Sequence, residues 1–319
     1  MGVICKLAAI TPEQLIAAYC DPAAVAGVAG TLPRWETGSF DQRVDPADLP
    51  GSARRMASYY QESGCGMFAR YRAFIWRDGA IEPVPYPDPI QLTGLKGYDY
   101  QRGLVVDNTV AFLEGLSANN CLLYGDRGTG KSSTVKALLN RYYTEGLRMV
   151  EMPKESLRDF SKLVEKIAAL PLKFIVFIDD LSFSQQDDTF AALKAVLEGG
   201  VAARPDNALI YATSNRRHLV RETFSQREGD DVHAGDTMQE SLSLADRFGL
   251  AVNFSTPDRA RFLEIVRALA AERGIEEDIR LIEAGAERWA TERGGRSPRC
   301  AKQYIAGVEA RLKRGLPLA

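Results

Sequence analysis

The segment Gly125-Asp126-Arg127-Gly128-Thr129-Gly130-Lys131-Ser132 satisfies the pattern G-x-x-x-x-G-K-[ST] at each fixed position. Glycines at this spacing let successive backbone N–H groups turn toward one centre, and a helix leaving at Ser133 adds its positive end. Such a concavity takes phosphate oxygens. Lys131 supplies a cation for β- and γ-phosphates, and the Ser132 hydroxyl supplies an oxygen ligand for Mg²⁺. The expected contacts with a nucleoside triphosphate therefore run from Gly125 through Ser133.

A second segment adds the means to cut the phosphate chain. Phe174-Ile175-Val176-Phe177-Ile178 is a continuous apolar run of strand length that ends in Asp179 and Asp180. Such a run suits a central parallel strand, and ligands sit at the carboxyl ends of these strands. Asp179 is then placed to hold Mg²⁺ through water, and Asp180 to orient or polarise the attacking water. Asp180 is one methylene shorter than a glutamate and reaches less far. A third run, Ala208 to Ser214, ends in Asn215. An amide there can position water beside the γ-phosphate, and by itself it also fits an ordinary turn.

These residues need a sheet to hold them. Strands are expected near 120–124, 147–152, 174–179, 208–213 and 250–254, with helices near 104–116, 131–144, 155–169 and 187–198. That alternation argues for a parallel sheet with helices on both faces. After Pro257 the pattern turns helical: Phe262, Ile265, Val266 and Leu269 share one face, and Ile279, Ile282, Ala286 and Trp289 another. Tyr304, Ile305, Val308 and Leu312 mark a third helix. The expected fold class is α/β: a P-loop NTPase with a five-stranded parallel sheet flanked by helices, a C-terminal helical lid and a separate N-terminal region. The expected boundaries are 1–90, 91–255 and 256–319.

The order of parts resembles the AAA+ ATPase superfamily over residues 92–316. It comprises the phosphate loop, the apolar run with Asp179-Asp180, the strand-end Asn215, then Asp246-Arg247-Phe248-Gly249 and Ser297-Pro298-Arg299. Gly97-Tyr98-Asp99, Asn119 to Gly128 and Phe177 to Leu181 resemble a bacterial group of predicted AAA+ ATPases of undefined function, the DUF815 type. The resemblance implies that Asn215 is the sensor-1 residue, Arg247 the arginine finger and Arg299 the sensor-2 arginine. It also implies that Gly97 and Tyr98 lie near the adenine. Most of the superfamily has Glu where this chain has Asp180, a departure that bears on turnover rather than on nucleotide binding.

Composition narrows the setting. The chain has 319 residues and a formal net charge of −2, so no global attraction to nucleic acid or membrane is expected. Its five scattered cysteines form no C-x-x-C, and its two histidines have no partner at metal-ligand spacing. Reduced thiols in a cytoplasmic protein are expected. No basic leader with an apolar core opens the sequence, and no apolar run approaches membrane-spanning length.

Outside the core, Thr11-Pro12-Glu13 reads as a helix start. Residues 53–77 interleave arginines with aromatics, as in Arg70-Tyr71-Arg72-Ala73-Phe74-Ile75-Trp76-Arg77. That pattern fits single-stranded nucleic acid or RNA, or a helix packed by its aromatics with arginines on its wet face and then a strand at 73–76; the nearby acids favour packing. Pro83-Val84-Pro85-Tyr86-Pro87-Asp88-Pro89 reads as an extended linker. The segment from Arg216 to Asp236, basic then acidic and glycine-containing, fits a mobile interface loop or a solvated turn.

Three functions fit these residues. The leading one is a homo-oligomeric ATPase that couples Mg-ATP hydrolysis to conformational change on a macromolecular partner, a protein rather than nucleic acid. A slow-hydrolysing switch, loader or adaptor is the second. A small-molecule kinase shares the phosphate loop but needs neither Arg247 nor a lid.

Overall fold

The computed structural model describes residues 48–181, 188–198, 205–215 and 247–317. The expected helix start at Thr11 and the loop from Arg216 to Asp236 lie outside them, as does Asp246. Contacts divide the chain into two compact units, one ending at Gly64 and one beginning at Cys65. Within the first, helix α1 (Leu49–Ser63) starts at Asp48, whose carboxylate accepts from Gly51 N at 2.8 Å. Pro50 follows in the first turn, where a missing N–H costs nothing.

The second unit opens with a short helix α2 (Met67–Arg70) and a hairpin, β1 (Ala73–Arg77) and β2 (Ala80–Pro83). Then come α3 (Asp99–Leu113), β3 (Cys121–Gly125), α4 (Lys131–Tyr142) and β4 (Leu147–Glu151). Helix α5 (Phe160–Ile167), β5 (Lys173–Ile178), α6 (Asp188–Glu198), β6 (Ala208–Ser214) and β7 (Leu250–Phe254) complete the α/β layer. Three helices close the chain: α7 (Arg259–Glu272), α8 (Ile279–Glu292) and α9 (Pro298–Lys313). No helix among the described residues is long and apolar enough to cross a membrane.

The sheet has seven strands in the order β2-β1-β4-β5-β6-β3-β7, not the five expected. The five expected strands are present and mutually parallel. The first addition, β1, comes from the stretch of interleaved arginines and aromatics, and the second, β2, from the residues just after it. β1 lies parallel to β4, with Phe74 opposite Val150, and β2 pairs antiparallel with β1. Burial drives this extension: Phe74 and Trp76 are each 1% exposed, and Phe68 packs against the rings of Phe74 and Phe174. The expected boundary at residue 90 thus falls inside the unit that begins at Cys65.

Strand β5 shows why its sequence is unbroken by polar residues. Phe174, Val176 and Ile178 enter one core cluster, while Ile175 and Phe177 enter the cluster on the opposite face. A strand covered on both sides has no wet face to mark with polar residues. The C-terminal helices form their own cluster around Phe262, Val266, Ile282, Ala286 and Ile305, as their spacing predicts. Of these, Phe262, Val266, Ile282 and Ile305 contribute about 1.5–3 kcal/mol each by their burial.

The proline-rich stretch is fastened at both ends. Val84 N donates to Ala73 O at 2.9 Å. Farther along, the Asn140 side-chain amide on α4 donates to Asp88 O at 2.8 Å and Ile90 O at 2.7 Å. Prolines keep the segment extended, and Asn140 satisfies two of the carbonyls that such a chain leaves open. It is a strap laid along the core.

Candidate nucleotide-binding site

The parallel register brings the carboxyl ends of three strands together: Tyr124 on β3 lies opposite Ser214 on β6, and Ile178 on β5 opposite Ala212. Whatever follows those strands must therefore converge. From β3 comes the loop 125–130, from β5 the pair Asp179-Asp180, and from β6 Asn215.

The loop needs its glycines. Gly125, Gly128 and Gly130 have φ of 127°, 78° and 95°, in the range that side chains avoid. A Cβ on Gly125 would fall 2.4 Å from Phe254 O, and one on Gly128 would fall 2.9 Å from Ser297 Oγ. Gly128 O also accepts from Arg299 N at 3.1 Å, so α9 starts directly against the loop. Asp126 turns away from the loop's centre, and its Oδ2 accepts from Thr256 N at 2.6 Å and Thr256 Oγ1 at 2.8 Å. Those two bonds hold its carboxyl below the usual carboxylate range.

Lys131 is buried, and its Nζ donates to Gly125 O, Asp126 O and Asn215 Oδ1 at 2.9, 2.7 and 3.1 Å. Burial pushes its pKa down, while Asp126, Asp180 and Asp179 pull it back up. Asn215 Nδ2 in turn donates to Asp180 Oδ1 at 2.5 Å. A cation on one side and a carboxylate on the other fix which way this amide points. Asn215 thus joins the loop lysine to the second aspartate.

Asp179 Oδ1 accepts from Ser132 Oγ at 2.6 Å, Thr213 Oγ1 at 2.6 Å and Asp180 N at 3.1 Å. Asp180 has a φ of 51°, a left-handed conformation that Asp and Asn tolerate better than other side chains. Thr213 Oγ1 accepts from Asp180 N at 3.0 Å, and Thr213 O accepts from Leu181 N at 2.6 Å. The sequence reading missed Thr213; its place two residues before Asn215 at the end of β6 was the available signal. Ser132 and Asp179 present adjacent hydroxyl and carboxylate oxygens, the hard donors that suit Mg²⁺. No group of three or more His, Cys, Asp or Glu able to hold a metal occurs among the described residues. This donor set fits a magnesium ion shared with phosphate oxygens, because Mg²⁺ is commonly bound by one or two carboxylates plus substrate phosphates.

A cavity of about 660 Å³ opens over these groups. Arg127, Gly128, Thr129, Gly130, Lys131, Ser132 and Ser133 line it together with Asp179, Asp180 and Asn215, and Arg299 lines it from α9. Its apolar wall is Ile90 and Leu95, from the strap and the turn after it, with Ile265 and Leu269 from α7. Gly97 and Tyr98 are not among the lining residues. A Cβ on Gly97 would sit 2.8 Å from Ile265 Cδ1, and the Tyr98 hydroxyl donates to Ser255 O at 2.6 Å. Burial pushes the Tyr98 phenol up to about 12. Both residues brace the wall from behind.

Arg247 is not brought to this site. β7 runs parallel to β3 with Phe254 beside Gly125, so the turn holding Arg247 lies at the opposite end of β7. The five residues of β7 span about 16 Å at the usual strand rise.

A family model described as "Protein of unknown function (DUF815)" matches residues 69–312. A comparison with curated proteins gives no match. Among solved structures, the Thermotoga maritima RuvB Holliday junction branch migration motor is similar at 15% identity and a TM-score of 0.48, over 71% of this chain and 66% of that one. A DNA replication initiation factor is similar at 15% identity and a TM-score of 0.44, over 72% and 68%. The family match spans the phosphate loop, both aspartates, Asn215, Arg247 and Arg299. By that match, the chain is a member of the DUF815 family.

Proposed function

We propose that this protein binds Mg-ATP in the 660 Å³ cavity and hydrolyses it within a homo-oligomer, using the cycle to change shape against a partner protein. The observation that carries this reading is the chain of contacts from Lys131 through Asn215 to Asp180, set beside the Ser132–Asp179 pair. It supports a phosphate-binding cation, a water-positioning amide and a carboxylate at one strand edge. The glycine loop amides and Lys131 would hold the β- and γ-phosphates, with Arg299 adding charge from the lid. Ser132 and Asp179 would hold Mg²⁺, which supplies charge neutralisation of the phosphate chain. Asp180, oriented by Asn215, would accept a hydrogen bond from the attacking water. Ile90, Leu95, Ile265 and Leu269 would enclose the base.

Arg247 enters this scheme only through another subunit. Its position across β7 from its own loop supports an arginine that serves a neighbour's phosphate. Mixing separates the cases. Lys131→Ala chains keep an intact Arg247, and Arg247→Ala chains keep an intact loop, so each alone is expected to release little phosphate from ATP. Mixed, they should regain part of the wild-type rate. A mixture no faster than its parts, with wild type equally active on dilution to monomer, would remove the trans role. The slow-switch alternative draws support from Asp180, whose short side chain sits on a left-handed backbone and is already engaged by Asn215.

A further inference from the structure

A second cavity, of about 260 Å³, lies at the amino ends of β1 and β4 and beside the last turn of α4. It is remote in the sheet from the strand ends that hold the phosphate loop. Arg70, Arg72 and Arg148 line it, with Tyr71, Tyr143 and the strap prolines. No aspartate or glutamate is among the lining residues.

The three arginines differ in how they are held. Arg148 is 4% exposed, and its guanidinium donates from Nε to Phe68 O at 2.8 Å and from Nη1 to Tyr143 O at 2.9 Å and Leu147 O at 2.8 Å. Those carbonyls explain Arg148 as a brace for the end of α4. They do not explain its neighbours. Arg72 stacks its guanidinium over the Tyr143 ring at 4.9 Å, and its buried Nε has no hydrogen-bond partner among the described residues. Arg70 is exposed at the end of α2, in the same cavity. A buried donor left without an acceptor is rare in a native fold, and an ordered water or a bound ion is one way to complete it.

The balance of charge says which. The carboxyl end of α4 contributes about half a negative charge, and no carboxylate stands in the lining beside the guanidiniums of Arg70 and Arg72. Guanidinium forks match phosphate oxygens, and two of them, from Arg70 and Arg72, favour a dianion over a lone carboxylate. At about 30 Å³ per water, the cavity holds on the order of eight waters, room for a phosphate with a small substituent. Tyr71 and Tyr143 line the same cavity and offer apolar surface to that substituent.

We infer that this cavity is a second, non-catalytic phosphate-binding site, taking free phosphate or a small phosphate monoester, with Arg70 and Arg72 as its ligands and Arg148 as a fixed neighbouring charge. The inference stands apart from the ATPase reading, because it uses none of the residues of the loop site.

The test uses the full chain carrying Lys131→Ala, which weakens the loop site. Orthophosphate and phenyl phosphate are titrated at constant ionic strength, with sodium chloride as control, and binding is read by calorimetry and by the shift in melting temperature. Saturable binding is expected, weakened at least tenfold by Arg72→Met and severalfold by Arg70→Met. Arg70 is exposed, so its variant stays informative if the Arg72 variant folds poorly. Tighter binding of phenyl phosphate than of orthophosphate identifies a monoester as the natural class, and the reverse identifies free phosphate. Absence of saturable binding, or binding that survives both arginine substitutions, overturns the inference.

Discussion

Asn215 touches both Lys131 and Asp180, so the contact between the amide and the carboxylate can be weighed by a double-mutant cycle. Asp180→Asn is the right perturbation, because asparagine also tolerates the φ of 51° at that position, whereas alanine would add backbone strain. It keeps an oxygen facing Asn215 Nδ2 and removes only the charge. The Asn215–Asp180 bond, 2.5 Å long, is charge-assisted, a class that contributes about 1.5–3 kcal/mol, against about 0.5–1.5 kcal/mol for a neutral pair. Asp180→Asn alone should lower kcat at least tenfold, about 1.4 kcal/mol of barrier, with Mg-ATP affinity nearly unchanged. Asn215→Ala should cost a similar factor. If the two act through their contact, the double variant recovers the shared part, about 1 kcal/mol, and runs about fivefold faster than the product of the single losses. The assay is steady-state phosphate release at saturating Mg-ATP for the four proteins, with affinities taken from fluorescent-nucleotide titration. Purely multiplicative losses would mean that Asn215 does not act through Asp180. Wild-type turnover by Asp180→Asn would mean that another residue positions the water.

Two further expectations concern the walls of the site. Thr256 holds the folded pKa of Asp126 below the ordinary carboxylate value, so its contribution to stability is present above that ordinary value and is lost as pH falls through the lower folded one. Urea unfolding of wild type and Asp126→Asn should show a stability gap at pH 6 that begins to narrow near the ordinary carboxylate value, about pH 3.9, and closes only below the folded one; a gap independent of pH would contradict this. Asn140→Ala removes both amide bonds to the strap, about 2 kcal/mol at about 1 kcal/mol each, and should weaken nucleotide binding severalfold through Ile90 while leaving kcat at saturation unchanged. Equal losses in both constants would place the strap's influence in the chemistry instead.

The parts of this fold legible in the sequence are those specified by local pattern. The phosphate loop is a contiguous signature, β5 is an unbroken apolar run, and the C-terminal helices repeat at helical spacing. What escaped reading is specified by contacts distant in the chain. A strand at 73–76 was legible, but its place beside β4 depends on a partner more than seventy residues away. The prolines from 83 to 89 correctly exclude a helix, yet nothing local reveals that Asn140 pins the segment down. Ile90, Leu95, Ile265 and Leu269 look like ordinary apolar residues until the lid folds back and makes them one wall. Asp179, Asp180 and Asn215 were identifiable as strand-end polar groups, whereas the hydrogen bond joining the last two required the β5–β6 register.

The lid is tied to the phosphate loop twice: Asp126 grips Thr256 where the chain enters the lid, and Gly128 O accepts from Arg299 N at the start of its last helix. A layer fastened at two points to the loop it covers does not swing on a single hinge. Lifting it breaks contacts made by residues 126 and 128 together, so lid and loop belong to one cooperative opening unit. The lifetime of a bound nucleotide would then be governed by how often that unit opens rather than by the strength of any one phosphate contact. In hydrogen exchange, the amides of Thr256 and Arg299 should consequently lose protection together, at a common rate that bound nucleotide slows for both.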